Sequence, residues 1–387
     1  MTSQYAFPSD IPALKSKVLK AITPVTHPLR STPGHTKQAQ RTNAGSTLPE
    51  YYLCYFLLVD LLGFPDRGKY EKVSWSVPID YNGELFYIEH RKMGLGIFAE
   101  DPITQDTAAQ GIAMRIKQGV KVARPYFEWR AQEAAKVSQL NVSNHHKRLF
   151  DKLNYFVKLY KDKCVEVTER QDERIVKRRG CSTEVSFPQF QLMRNAEWLA
   201  LAALESFFSW TEHVFIHMAI INCKIRTGVE VADLAASEWS HKYKSALDCS
   251  DATTKQFYDE LIVVRRQMRN YMAHGAFGKR GEAFSFHSKA GAVPLLLPHQ
   301  RGNNRFTFYG DLGFDEAAVI NLIESFIKYI SSGKRKRAYI YIDSGLPSIL
   351  TMTHDGSYNS AMKSVVTMKQ FANNLNMAFD RAADMDW

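Results

Sequence analysis

Cysteine is scarce in this chain, and its spacing excludes the chemistry that clustered cysteines provide. Cys54, Cys164, Cys181, Cys223 and Cys249 are five in number, and none forms a C-x-x-C pair. An odd, scattered set argues against a zinc knuckle and against a disulfide framework. Free thiols fit a reducing cytosol, and a cytoplasmic location is expected. The first thirty residues contain no apolar run of the signal-peptide type. The most apolar stretch, Trp198 to Cys223, is broken by Glu205, Glu212, His213 and His217. That polarity suits a buried helix rather than a membrane span, so no membrane partner is expected. There is no P-loop, Rossmann fingerprint or G-x-S-x-G elbow, and no internal repeat. No cofactor is expected.

What is present is a chain of 387 residues, long enough for two or three domains, with a hydrophobic fraction of 45%, normal for a folded protein. Lys and Arg outnumber Asp and Glu by 10, which favours anionic partners, nucleic acid first.

Residues 1–47 read as an irregular arm, rich in proline and polar residues. Residues 48–100 read as a small α+β domain. Leu48 to Leu62 is helix-compatible, and Val73–Ile79 and Leu85–Ile88 flank Asn82-Gly83, the dipeptide of a tight type I′ hairpin turn. Pro78 suggests an edge position, and Gly94–Phe98 suggests a further strand. Residues 101–332 read as helical. Thr104–Lys136 carries a kink at Pro125, and His145–Val165 continues the pattern. Lys161–Gly180 is a charged helix end plus linker, and Met193–Cys223 is apolar on nearly every side. Asp251–His274 is strongly amphipathic: Phe257, Leu261, Val264, Met268 and Tyr271 form one stripe, Asp251 suits an N-cap and Gly275 a C′ position. A strand-containing insertion at about 281–312 holds Phe284–His287 and Arg305–Tyr309. A helix follows over Asp315–Ile330. Residues 333–387 mix a strand, Tyr339–Ile342, with a final helix over Asn359–Phe379. The expected class is mainly α: a helical bundle flanked by a small N-terminal α+β domain and C-terminal α/β elements.

The tract Arg269-Asn270-Tyr271-Met272-Ala273-His274 holds the strongest chemistry. Arg269 is a permanent cation with a fork suited to phosphate. Asn270 can position a sugar hydroxyl. His274 can move a proton near neutrality. Asn270 and His274, four apart, share a helix face, whereas Arg269 and His274 lie about 140° apart on a regular helix. They share a pocket only if the last turn loosens or a second subunit supplies half of the site. Arg265 and Arg266 add charge one turn earlier. A cation, an amide and an imidazole suffice for metal-free RNA cleavage, with the substrate 2′-hydroxyl as nucleophile.

Arg269-Asn270-x-x-x-His274-Gly275 resembles the R-x(4–6)-H motif of HEPN domains. The resemblance covers residues 104–332 in pattern and this motif in specific residues. It implies an all-helical, HEPN-like domain, a homodimer with a composite cleft, and metal-independent ribonuclease activity with RNA as partner. Arg269, Asn270 and His274 would be the catalytic residues. It also implies a toxin or anti-phage defence role, with a regulatory partner or trigger to restrain it. A subgroup of the family carries a tyrosine two residues after the histidine; here that position is Ala276.

Other constellations compete. Glu205 and Glu212 share a polar stripe and either support the site by pairing with Arg265 or Arg269, or form an exposed strip. His213 and His217 are four apart, but as core or interface histidines they need no metal, and His145-His146 reads as part of a solvated basic cluster. Asp80 and Glu89-His90-Arg91 are similar to a metal-dependent nuclease pattern, with arginine where lysine belongs. Lys177-Arg178-Arg179 and Lys334-Arg335-Lys336-Arg337 are basic runs that either follow a nucleic-acid backbone or are solvated loop charge. The rivals to the ribonuclease are therefore a non-catalytic dimerisation and nucleic-acid-binding module, and a metal nuclease built on Asp80 and Glu89.

Overall fold

The computed structural model describes residues 11–28, 39–69, 71–137, 139–180, 182–273, 282–296, 306, 308 and 315–384. It is mainly α-helical with small sheets. The chain forms two compact units, residues 1–137 with 378–387, and residues 138–377. The sequence places a boundary at 100; the two helices that follow directly, Asp106–Val122 and Arg124–Val137, belong to the first unit.

In that unit, five antiparallel strands run in the order β1-β3-β4-β5-β2: β1 (Val25–Thr26), β2 (Gln40–Arg41), β3 (Val73–Tyr81), β4 (Glu84–Arg91) and β5 (Gly94–Ala99). Asn82 and Gly83 both take positive φ, 54° and 86°, as the I′ turn between β3 and β4 requires. Asp80 Oδ1 accepts from the Gly83 N–H at 3.0 Å, closing the turn. Pro78 is on the side of β3 where β1 pairs only with Asp80 and Tyr81, so its missing donor interrupts no ladder. The helices are α1 (Ile11–Ile22), α2 (Tyr51–Tyr55), α3 (Asp106–Val122) and α4 (Arg124–Val137). Residues 1–47 are therefore not an irregular arm throughout. Ile11, Leu14, Val18 and Ile22 make one helical stripe, with Val18 and Ile22 wholly buried. The lysines between them disguise it in sequence. The helix-compatible segment Leu48–Leu62 is a composite of α2 and a π-helix over Phe56–Leu61, preceded by a 3-10 turn over Ala44–Thr47. Pro125 stands just inside α4, after the break at Ala123.

The second unit is a helical bundle around α6 (Pro188–Ile221), which buries residues on nearly all sides over its second half. It is preceded by β6 (Asn141–Val142), α5 (His146–Glu169), β7 (Ile175–Arg179) and β8 (Ser182–Ser186). The start of α5 meets the end of α6 through His146 and Trp210, and the end of α5 meets the start of α6 around Cys164 and Met193, so the two run antiparallel. The charged segment after Lys161 is partly an ordered hairpin, β7–β8, with Lys177 opposite Glu184. Next come α7 (Gly228–Ala236), α8 (Trp239–Ala246) and α9 (Ala252–Ala273). The hairpin β9 (Glu282–Ser288) and β10 (Gly291–Leu296) follows. The sequence expects Arg305–Tyr309 as the second strand, but β10 is the one paired with β9. Of that expected strand, Phe306 and Phe308 are non-strand and Arg305, Thr307 and Tyr309 lie outside the described residues. The chain then forms α10 (Glu316–Ile330), capped by Asp315 on two backbone N–H groups, and α11 (Lys336–Asp343). Tyr339–Ile342 is therefore helix rather than strand. Its β-rich composition is overridden because Ala338, Tyr341 and Ile342, at helical spacing, are buried. β11 (Ser348–Ile349), α12 (Ser357–Ala361) and α13 (Val365–Asp384) complete the order.

Where α5, α6 and β11 meet, four histidines cluster. His146 is buried and its Nδ1 accepts from Trp210 Nε1 at 3.1 Å, so it is not part of a solvated cluster. His213 Nε2 accepts the His145 backbone N–H at 2.9 Å, and His217 Nδ1 lies 2.7 Å from Ser348 Oγ. Burial, reinforced by neighbouring imidazoles, pushes His213 down to about 4 and His217 down to about 3. Burial also lowers His146, opposed by Asp343. Both His213 and His217 bind a proton more readily in the unfolded chain, where the ordinary value is near 6.5. The stability that they preserve is full above that value and is lost as pH falls from about 6.5 towards 4. The melting temperature is expected to drop between pH 7.5 and 5, and a His213→Gln/His217→Gln variant should flatten that slope. Equal slopes in scanning calorimetry would contradict the account.

Candidate functional site

The site is built where α6, α8 and α9 meet. Asp251 caps α9 by accepting from the Thr254 N–H at 2.9 Å, as expected. Leu261 and Val264 bury one face of α9 in the core, and Phe257 packs on Phe326 and Tyr329. That orientation turns Arg265 towards α6. Its Nη2 donates to Glu212 Oε1 at 3.3 Å, the pairing that the sequence suggests for a supporting carboxylate. The other oxygen of Glu212 accepts from Lys242 Nζ at 2.7 Å. The Lys242 side chain is only 5% exposed, so this pair carries a buried cation, whereas Glu212 and Arg265 are 30% and 28% exposed. The Arg265 guanidinium also lies 5.6 Å from the Phe208 ring and 5.9 Å from that of Trp239.

Sequence reasoning does not single out Lys242, although a signal is present. Trp239, Tyr243 and Ala246 are the buried stripe of α8, and Lys242 interrupts that stripe with a charge. Trp239 Nε1 donates to Thr211 Oγ1 at 3.0 Å and the Tyr243 hydroxyl to the Thr254 carbonyl at 2.7 Å. Thus α8 is bonded to both α6 and α9. Beside this network is a cavity of about 390 Å³ lined by Glu238, Ser240, Ile262, Arg265 and Arg266.

Arg269 and Asn270 fall in the last two turns of α9, one turn beyond Arg265 and Arg266. Their side chains, and His274 altogether, lie outside the described residues. Glu205 is exposed, two turns before Glu212 on α6, and takes no part in the Glu212 network. Lys177 and Arg178 are exposed on β7, whereas the side chain of Arg179 lies outside the described residues. The run 334–337 is divided. Lys334 and Lys336 are exposed. Arg335 stacks 3.5 Å from the Tyr329 ring centroid and donates to the Tyr329 carbonyl, and Arg337 donates to the Met362 carbonyl at 2.6 Å. Two of its four cations are therefore structural anchors.

Asp80 and Glu89 do not converge. Glu89 pairs across the sheet with Ser76, four residues before Asp80, which separates the two by about 13 Å along the strand. Glu89 is buried and already bonded to Ser76 Oγ at 2.7 Å and Arg91 Nε at 2.6 Å. Among the described residues, no group of three or more His, Cys, Asp or Glu side chains could hold a metal ion, and no helix is long and apolar enough to cross a membrane.

No family model, no curated protein and no solved structure matches the chain. The HEPN resemblance stands on the motif and its setting alone.

Removing the Glu212 carboxylate strands a buried ammonium. Glu212→Ala should cost about 3 kcal/mol in denaturant unfolding, and adding Lys242→Met should recover a substantial part. A Glu212→Ala variant as stable as wild type would overturn this role.

Proposed function

We propose that the protein is a metal-independent endoribonuclease of the HEPN type. The observation that carries this reading is the setting of the motif. Arg269-Asn270 continues the helix whose previous turn supplies Arg265 and Arg266, and that turn is anchored by Glu212 and opens onto a cavity. In the reaction, the substrate 2′-oxygen would attack the adjacent phosphorus as its proton is removed. The 5′-oxygen would leave with a proton, and a cyclic phosphate would form. His274 would move protons, Arg269 would stabilise the charge that builds on the phosphoryl oxygens, and Asn270 would position the sugar. A homodimer in which two α9 ends face one cleft would bring Arg269 of one chain to His274 of the other. This would resolve their angular separation on a single helix. The basic excess of the chain and the exposed Lys177 and Arg178 fit RNA as the partner. A cytoplasmic toxin or anti-phage effector under a regulatory partner or trigger is the role that the resemblance suggests.

The second reading, a nucleic-acid-binding module without catalysis, is favoured by the same exposed cations. It predicts salt-sensitive RNA binding without turnover. Incubation of RNA in excess EDTA decides between them. The wild type is expected to cleave, and His274→Ala and Arg269→Ala are expected to be at least about 100-fold slower. Equal rates in all three, or cleavage abolished by EDTA, would overturn the ribonuclease assignment.

A further inference from the structure

We infer that the cavity between the start of α8 and the middle of α9 is a nucleotide subsite, which takes the phosphate next to the one at the Arg269 turn. This rests on the ribonuclease reading for the direction of the strand, but the site itself is argued from described side chains. The cavity, about 390 Å³, is of a size to admit one nucleotide unit. Arg266 is exposed at its edge, with its guanidinium available to a phosphate. Ser240, in the first turn of α8, also lines the cavity, close to the N-terminal end of that helix, where a negative group is stabilised.

The local charge supports an anion. Glu212 is shared between Lys242 and Arg265, so those three side chains sum to one positive charge. Arg266 adds another and Glu238 removes one, leaving the cavity with a net positive charge. Glu238 is exposed on the wall and opposes a phosphate there. It suits the other part of a nucleotide, as an acceptor for a sugar hydroxyl or a base N–H. Ile262 offers an apolar surface to the sugar or base.

The spacing ties the cavity to the motif. Residues 266 and 270, like 265 and 269, are four apart on a continuous helix, a rise of about 6 Å. Consecutive phosphates on an extended nucleic-acid strand are separated by a similar distance. A strand laid along α9 would therefore place one phosphate at the Arg269 turn and its neighbour at Arg266 and Ser240. Arg265 is held by Glu212 and is a positioning residue; Arg266 and Ser240 would contact the nucleotide.

The experiment measures binding of a 2′-O-methyl oligoribonucleotide, which lacks the hydroxyl nucleophile and so reports binding alone. It uses the full chain over a range of salt concentrations. Arg266→Gln is expected to bind about tenfold more weakly. The slope of log affinity against log salt should fall by about 0.7, as expected when one fewer phosphate of a single strand is neutralised. Arg266→Lys should keep the wild-type slope. Ser240→Ala should weaken binding without changing that slope. Arg266→Gln that binds as wild type with an unchanged slope would overturn the subsite, as would a wild-type chain that does not bind the oligonucleotide. Binding that responds as expected in a protein that cleaves no RNA would leave the subsite standing and remove only the ribonuclease reading.

Discussion

The carboxylate of Glu212 is the constraint on which the packing of α6, α8 and α9 depends. One side chain on α6 accepts from Lys242 on α8 and from Arg265 on α9. The ammonium of Lys242 is nearly sealed from solvent, and a buried cation is tolerated only with its counter-charge in place. Aromatic packing and two further hydrogen bonds, from Trp239 to Thr211 and from Tyr243 to Thr254, fix the same three helices against one another. The consequence for α9 is rotational. With Leu261 buried and Arg265 tied to α6, the face that carries residues 266 and 270 is set.

What the sequence made legible follows from periodicity and local chemistry. The long apolar segment became α6, the stripe from Phe257 became α9, and Asn82-Gly83 made the hairpin turn. Asp251 and Asp315 cap the helices that they precede. The less legible elements are those where tertiary packing outweighs local signal. In α1, three lysines are interleaved with a four-residue apolar stripe, and in α11 a β-rich tetrad is helical because its buried positions follow helical spacing. Short α8 carries only a brief stripe, Trp239, Tyr243 and Ala246, so the charge of Lys242 within it is easily passed over and Ser240 does not stand out.

The charged groups separate into two kinds that composition cannot distinguish. Arg335, Arg337, Lys242 and Arg265 are bonded within the fold, whereas Arg266, Lys177, Arg178, Lys334 and Lys336 face solvent. The histidines divide in the same manner. His146, His213 and His217 belong to the packing of α5, α6 and β11, where burial disfavours their charged forms. The candidate metal pair of Asp80 and Glu89 is separated by sheet register, and Glu89 is occupied by Ser76 and Arg91. Arg269, Asn270 and His274, a cation, an amide and an imidazole, fall close together in the sequence at and just after the end of α9.

The central claim is that this end of α9 cuts RNA by means of the substrate's own 2′-hydroxyl. The most direct measurement is the chemical identity of the ends left by cleavage in excess EDTA, read by mass spectrometry of a short oligonucleotide. A 2′,3′-cyclic phosphate on one fragment and a free 5′-hydroxyl on the other are expected. A 3′-hydroxyl with a 5′-phosphate would contradict it, because those ends require an attacking water rather than the neighbouring sugar.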